Sequence, residues 1–133
     1  MTIFVKNHVE NRKKGSIGEE IATNHLIKRG FTVSKRNYRK PWGELDIIAV
    51  KDNTVHFFEV KSITVTSFML TNSHTPEENV HAFKLKQIRK MVRTYFSENR
   101  IHSEVQFQFH VLCVYMNTTR RLARVRWLRN IIL

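Results

Sequence analysis

Three charged residues in two neighbouring apolar segments have the types and spacing of a metal-dependent hydrolytic site. Asp46 lies in residues 44–50, and Glu59 and Lys61 lie in residues 55–61. Both segments are rich in β-branched and aromatic residues, which is typical of strands. Carboxylates bind Mg²⁺ and Mn²⁺ readily, and a bound metal can activate water and stabilise the charge on a phosphate. The pattern therefore predicts cleavage of phosphodiester bonds.

The register of the two segments predicts that the two acids face each other. With a symmetric two-residue turn at positions 52–53, Asp46 lies opposite Glu59, at a Cβ separation of roughly 4.5–5.5 Å. Two carboxylates on a buried strand pair repel each other and are costly to bury, and a divalent cation removes both problems. Lys61 projects from the same face as Glu59, where it can orient the attacking water. Alternatively, the acids lie at solvated strand ends and Lys61 pairs with Glu44.

A single α/β domain is predicted to position these residues. The expected helices span 16–30 and 75–99, and the expected strands span 31–38, 44–50, 55–61, 106–115 and 121–127. Capping-box patterns open both helices, at Ser16–Glu19 and at Thr75–Glu78, and Gly30 closes the first helix. Residues 62–75 are read as a strand end and a loop. The order α-β-β-β-α-β-β indicates a mixed central sheet with helices on its faces.

Composition and charge limit the classes of partner. The 133 residues suffice for one domain, predicted as residues 15–133 after a basic N-terminal arm of residues 1–14. The net charge of +12 indicates an anionic partner, and nucleic acid is favoured over an acidic membrane surface. An apolar signal segment and a membrane-spanning run are not found, and Cys113 is the single cysteine, so a cytoplasmic location is expected.

Two residues of the predicted helices are candidates to join the site. Glu19 shares a helix side with Leu26, so it either supplies a third carboxylate or serves only the capping box. Lys84 falls between Met91 and Tyr95 on the apolar side of the second helix. A lysine in that position either extends to the edge of the sheet or reaches into the site.

Basic and aromatic residues elsewhere are candidates for nucleic-acid contact. Arg39, Lys40 and Trp42 precede the strand of Asp46, where they could hold a phosphate backbone or stack on a base. Alternatively, this segment is an ordinary turn with Trp42 packed on the core. Five arginines alternate with apolar residues near the C-terminus and form either a phosphate-binding stripe or a solvated face: Arg120, Arg121, Arg124, Arg126 and Arg129.

Four ordered motifs resemble those of a known family. They are Gly15-x-x-Gly18-Glu19-x-x-Ala22, Arg36-Asn37-x-Arg39, Gly43-Glu44-Leu45-Asp46-Ile47-Ile48-Ala49 and Phe58-Glu59-Val60-Lys61. Over residues 14–115 the chain resembles the YraN-type family of proposed endonucleases, a branch of the PD-(D/E)XK superfamily related to restriction endonucleases and archaeal Holliday-junction resolvases. The resemblance implies a restriction endonuclease-like αβββαβ core.

The resemblance also implies roles for individual residues. Asp46 and Glu59 would be metal ligands together with the main-chain carbonyl of Val60, Lys61 would be the catalytic lysine, and Glu19 would be the helix acid. The family's motifs and the pattern of opposed acids coincide at Asp46 and Glu59, whereas Glu19 enters mainly through the resemblance.

Lys84 falls where the family often has a lysine, which favours its placement in the site. The chain departs from the family's pattern at Ile63, where many members have arginine, and in the loop that follows, which lacks their Phe-Gly.

The resulting hypothesis is a Mg²⁺- or Mn²⁺-dependent endonuclease that acts on DNA rather than RNA, including structured or branched DNA. Resolvase-like enzymes that cut two strands often act as dimers, so a homodimer is compatible with this hypothesis. The main alternative is a nucleic-acid-binding module without catalysis on the same fold. A protein-interaction or membrane-surface role for the basic faces has the least support.

Overall fold

The computed structural model describes residues 2–4, 14–66 and 82–133. The helices are α1 (Lys14–Lys28) and α2 (Ala82–Glu98), and the strands are β1 (Thr2–Phe4), β2 (Thr32–Lys40), β3 (Gly43–Lys51), β4 (Thr54–Thr64), β5 (Phe107–Asn117) and β6 (Leu122–Leu128). Among the described residues, neither helix is long and apolar enough to cross a membrane.

All six strands form one mixed sheet in the order β1-β6-β5-β4-β3-β2. β4 and β5 are parallel, and the other neighbouring pairs are antiparallel. Two apolar clusters cover opposite faces: Phe58 packs in a cluster with Leu26 of α1, and Phe57 packs in a cluster with Met91 of α2. The two helices therefore sandwich the central strands, and the predicted α/β fold is confirmed.

The hairpin between β3 and β4 has the predicted turn. Asp52 and Asn53 adopt positive φ angles of 51° and 60°, the left-handed conformation that a two-residue type I′ turn requires and that these two residue types tolerate. The turn fixes the register from Lys51↔Thr54 to Ile47↔Phe58. The register predicted from the sequence is confirmed over these pairs.

The first helix starts differently from the sequence prediction. α1 begins at Lys14, so Ser16 lies inside its first turn rather than at its N-cap, and the predicted Ser16–Glu19 capping box is wrong. The C-terminal prediction is better, because Gly30 follows the helix with a φ of 89°, a conformation that glycine adopts without steric cost. The predicted start of α2, at residues 75–78, lies outside the described residues.

Two strands also differ from the prediction. β1 lies within the predicted N-terminal arm and pairs with β6, and three residues are too few for a recognisable period. β4 continues beyond Lys61 to Thr64 because its parallel pairing with β5 extends that far. The strand end predicted at the start of residues 62–75 is therefore confirmed, and residues 67–75 lie outside the described residues.

A glycine permits the close approach of α1 to β4. A Cβ atom on Gly18 would lie 1.7 Å from Oγ and 2.9 Å from Cβ of Ser62, so any side chain at position 18 would displace the helix or the strand. Glu19 follows directly, and its placement against the sheet depends on this contact. The glycine of the first sequence motif thus has a packing role.

We expect Gly18→Ala to destabilise the fold by about 1–3 kcal/mol through overpacking, although alanine has the higher helix propensity. Gly18→Ala combined with Ser62→Gly should recover part of this loss, because the nearest atom of residue 62 would then be Cα, at 3.9 Å. Urea denaturation measures both effects. Asn24→Ala, at an exposed position of the same helix, is the control. A Gly18→Ala variant as stable as the parent would contradict the packing argument.

Candidate functional site

A pocket of about 420 Å³ opens at the end of the β3–β4 hairpin that lies away from the turn. Its walls come from α1, β3, β4 and α2. Six residues singled out in the sequence line it together: Glu19, Asp46, Glu59, Val60, Lys61 and Lys84. The structure therefore brings both predicted strand acids, both predicted lysines and the helix acid to one place.

Asp46 occupies the point where β3 and β4 separate. The last paired residues of this ladder are Ile47 and Phe58, so the predicted Asp46–Glu59 pair lies one step beyond its end. The Asp46 carboxylate instead turns towards β4, where its Oδ2 accepts a 2.7 Å hydrogen bond from the main-chain N–H of Val60. In an extended strand the N–H and C=O of one residue lie on the same edge, so the Val60 carbonyl also faces the gap between the strands.

The environment of Asp46 favours its protonated form. The residue is 7% exposed. Burial raises the pKa of Asp46 to about 7; the hydrogen bond from Val60 opposes this rise, and the negative charges of Glu19, Glu59 and Glu44 add to it. A cation in the pocket would reverse this preference, because an opposite charge favours the ionised carboxylate.

The two carboxylate oxygens of Glu59 have different surroundings. Its Oε1 forms an ion pair with Nζ of Lys84 and lies 3.4 Å from Nζ of Lys61. Its Oε2 is buried and has no hydrogen-bond partner. A buried carboxylate oxygen without a partner is unfavourable, so this atom is a natural place for an additional ligand.

The ion pair with Glu59 decides between the two positions expected for Lys84. Burial lowers the pKa of Lys84, but the hydrogen bond and the charge of Glu59 outweigh it and leave the pKa raised. Lys84 therefore stays charged and reaches into the pocket instead of extending to the edge of the sheet.

Glu19 lines the pocket, and because α1 begins at Lys14 it lies too far into the helix to complete the predicted capping box. Its nearest cation is Arg36, whose Nη2 lies 3.9 Å from Oε2 of Glu19. The Glu19 side chain is 18% exposed, and its charge raises the pKa of Asp46. Glu19 is thus electrostatically linked to the strand acids.

The predicted nucleic-acid contacts before β3 have protein partners and lie outside the pocket. Nε of Arg39 lies 3.0 Å from Oε2 of Glu44, and Nζ of Lys61 lies 3.4 Å from Oε1 of Glu59, so Lys61 pairs with Glu59 rather than with Glu44 as the alternative had it. Lys40 pairs with Glu98. Trp42 packs against the cluster under α2, with the ammonium of Lys90 4.7 Å from its ring centroid. The turn-packing interpretation of Trp42 is therefore confirmed, while nucleic-acid contact by Arg39 and Lys40 stays a prediction.

One polar residue of the pocket was missed by the sequence analysis. Ser62 lines the pocket with a buried Oγ that has no hydrogen-bond partner. The sequence signal is its position directly after Lys61, at the predicted strand end, but Ser62 is not among the predicted site residues. Gln87, from α2, completes the polar lining.

The donor set fits a hydrated divalent cation. Within the described residues, no three Asp, Glu, His or Cys side chains are arranged to hold a metal by themselves. The available donors are the carboxylates of Asp46 and Glu59 and the carbonyl of Val60. Mg²⁺ usually keeps several waters and binds one or two carboxylates plus a phosphate oxygen, so this small set is appropriate for it.

Comparison with known proteins gives a consistent match along most of the chain. The model of the uncharacterised protein family UPF0102 matches residues 18–114, a range that includes every pocket residue named above. A UPF0102 protein of Campylobacter jejuni is 37% identical over 100 residues, which are 75% of this chain and 81% of the relative. A UPF0102 protein of Clostridium botulinum is 33% identical over 123 residues, which are 92% of this chain and 96% of the relative.

The raised pKa of Asp46 predicts a pH-dependent cost of folding. The stability contributed by the protonated carboxyl is fully present below the ordinary pKa of 3.8 and is lost as the pH rises through about 7. Asp46→Asn keeps an acceptor for the Val60 N–H and does not titrate. Its unfolding free energy relative to the parent should therefore rise by about 4 kcal/mol from about pH 4 to about pH 8.

Urea denaturation in the presence of a chelator measures this difference. Added Mn²⁺ should stabilise the parent at the higher pH but not Asp46→Asn. A difference between the two proteins that stays constant with pH would show that the carboxyl is ionised in the fold throughout.

Proposed function

The chain belongs to the uncharacterised protein family UPF0102, and we propose that it is a Mg²⁺- or Mn²⁺-dependent endonuclease that hydrolyses phosphodiester bonds in DNA. The observation that carries this proposal is the convergence of Asp46 and Glu59, the latter with a buried unpartnered oxygen, beside two lysines in one pocket. The net charge of +12 supports an anionic polymer as substrate. The preference for DNA, including branched DNA, rests on the family resemblance.

Each residue of the pocket has a role in this proposal. Asp46, Glu59 and the Val60 carbonyl hold the metal, which when bound lowers the pKa of its water and stabilises charge on the phosphate. The Val60 N–H fixes the orientation of the Asp46 carboxylate by its 2.7 Å hydrogen bond. Lys61, beside Glu59, orients the attacking water.

Lys84 and Glu19 act on the charge balance of the pocket. In the metal-free protein the ammonium of Lys84 neutralises Glu59. A phosphodiester in the pocket offers Lys84 an alternative negative partner, so the same lysine stabilises the free site and then binds substrate. Glu19 adds negative charge near Asp46 and thereby favours a cation there.

A second candidate function is DNA binding without catalysis. The ion pair between Lys84 and Glu59 favours it, because this pair satisfies one oxygen of Glu59 without any metal. Calorimetry with Mn²⁺ separates the two functions. Binding that disappears in Asp46→Asn supports the endonuclease, whereas a parent protein that binds no Mn²⁺ supports the second function.

Removal of either strand acid should abolish cleavage and spare DNA binding. Asp46→Asn and Glu59→Gln should each lower the cleavage rate at least about 100-fold, because each removes a ligand of the catalytic metal. The assay is a panel of linear, flap, four-way-junction and single-stranded DNA with Mg²⁺ or Mn²⁺. Glu104→Gln, at an exposed residue far along the chain, makes the same charge change as Glu59→Gln and should cut like the parent. An Asp46→Asn variant with parental activity would refute the mechanism.

Lys84 should compete with the metal. Lys84→Gln removes a positive charge that is ion-paired to Glu59. The affinity for Mn²⁺ measured by calorimetry should therefore increase by at least about tenfold. Lys86→Gln makes the same change at an exposed position of α2 and should have little effect. Weaker Mn²⁺ binding by Lys84→Gln would mean that Lys84 organises the metal site instead of opposing it.

A further inference from the structure

A second cavity, of about 570 Å³, lies at the opposite end of the β3–β4 hairpin, next to its turn. Four cationic side chains from three separate segments line it. Lys28 and Arg29 come from the end of α1, Lys51 comes from the end of β3, and Arg129 follows β6. Asp52 is the one acid among the described lining residues.

Neutral groups, rather than acids, position these cations. Nε of Arg29 donates a 2.8 Å hydrogen bond to Nε2 of His25, and Nζ of Lys51 donates a 2.7 Å hydrogen bond to the Arg29 carbonyl. The guanidinium of Arg129 lies 3.9 Å from the ring centroid of Trp127. Within the described part of the chain, none of the four cations forms a salt bridge. Their positive charges are therefore held in place but not neutralised.

The surplus of positive charge exceeds what the fold itself requires. The C-terminus of α1 carries about half a negative charge, and cations near a helix end commonly serve that dipole. Lys51 does so directly through the Arg29 carbonyl. Even after this half charge and the charge of Asp52, about two and a half positive charges are left. Arg129 arrives from the far end of the chain and stacks on Trp127 instead of the helix terminus.

The floor of the cavity is neutral and rigid. The N–H of Asn130 donates to Nδ1 of His110, so the other nitrogen of His110 must donate to Nδ1 of His56, at 2.9 Å. His56 lines the cavity, and burial lowers its pKa as well. Burial, then His56 and Arg129, lower the pKa of His110 to about 3, so the pair is uncharged at neutral pH. The floor therefore cannot offset the cations.

We propose that this cavity binds a phosphate group of a nucleic-acid strand, at a second point away from the Asp46 pocket. Four converging cations without an anionic partner are a binding surface for phosphate oxygens. The helix that ends here presents carbonyl groups rather than N–H groups, so it offers no amide cradle for a small enclosed phosphate. Long exposed side chains that reach outwards are instead typical of contacts to a nucleic-acid backbone.

The spacing of the two sites suits one continuous strand. Asp46 and Lys51 lie five residues apart on β3, which corresponds to roughly 17 Å at about 3.4 Å per residue. That distance is about five steps of a duplex at 3.4 Å each. Binding of a nucleic-acid phosphate in this cavity does not depend on the proposed cleavage, and it can be tested independently of it.

The test compares two double variants that lose the same charge. Lys28→Gln/Arg129→Gln removes two cavity cations, and Lys86→Gln/Arg93→Gln removes two exposed cations of α2. Binding of a fluorescent DNA duplex is followed by anisotropy in EDTA over a range of salt concentrations, so that cleavage cannot contribute. The cavity variant should bind about tenfold more weakly, with a salt slope lower by about one phosphate contact. Equal losses in the two variants would overturn the proposal.

Tryptophan fluorescence distinguishes a strand phosphate from a free one. The chain has two tryptophans, so Trp42→Phe leaves Trp127 as the single reporter, under Arg129 in the cavity. DNA should change its emission at concentrations near the dissociation constant, whereas inorganic phosphate should have no effect at the same concentrations. A response to inorganic phosphate but not to DNA would overturn the nucleic-acid assignment, and a silent Trp127 in both titrations would overturn the site. Loss of cleavage in Asp46→Asn bears on neither result.

Discussion

The hydrogen bond from the Val60 N–H to the Asp46 carboxylate is the interaction on which the candidate site depends. It forms because β4 continues in parallel pairing with β5 to Thr64, while its antiparallel pairing with β3 ends at Ile47. A strand edge opens inside the sheet, and its main-chain groups need a partner. Asp46 supplies an acceptor, and the protein thereby holds an acid in an apolar sheet at a place where the main chain compensates part of its burial.

The same hairpin carries opposite charge at its two ends. Acids gather where β3 and β4 separate, and cations gather beside the turn around Lys51. Both clusters lie against α1, whose first turns approach Ser62 and whose last turn approaches Lys51. An anionic strand is attracted to the cationic end without assistance, but at the acidic end it needs a bound cation. In the proposed function, the cationic end of the hairpin supplies affinity for the nucleic-acid strand, and the acidic end supplies the cleavage chemistry.

The local features of this arrangement could be predicted from the sequence, and the long-range ones could not. The turn residues Asp52 and Asn53 fixed the register, and the register put Asp46 beside Glu59. The end of the ladder was not predictable, because it depends on β5, whose pairing with β4 joins segments about fifty residues apart. The helical wheel allows Lys84 either to extend to the edge of the sheet or to reach into the site. Only the packing of α2, which brings Lys84 to Glu59, decides between these positions.

Segments that meet only in the fold explain the remaining gaps. The cationic cavity joins residues from the end of α1, the end of β3 and the C-terminal region, and no spacing along the chain relates them. The Ser16 capping box fitted its local pattern, yet the helix began earlier. Gly18 belongs to a sequence motif, but the side chain that requires glycine there is Ser62 on β4. Sequence motifs identify these residues, and tertiary contacts explain why each residue type is needed at its position.

The charge balance of the acidic pocket makes cation and phosphate binding interdependent. Four acids line the pocket. Glu44 is paired with Arg39, and the other three, Glu19, Asp46 and Glu59, are opposed by Lys61 and Lys84, so the net negative charge of the pocket is small, the more so while Asp46 is partly protonated. A divalent cation alone would add charge beside two lysines, and a phosphodiester alone would add charge beside three acids. Each unfavourable interaction is removed by the other ligand. In the proposed endonuclease, such a pocket would bind the cation and the phosphodiester together better than either one alone, which is the behaviour that metal-assisted phosphodiester cleavage requires.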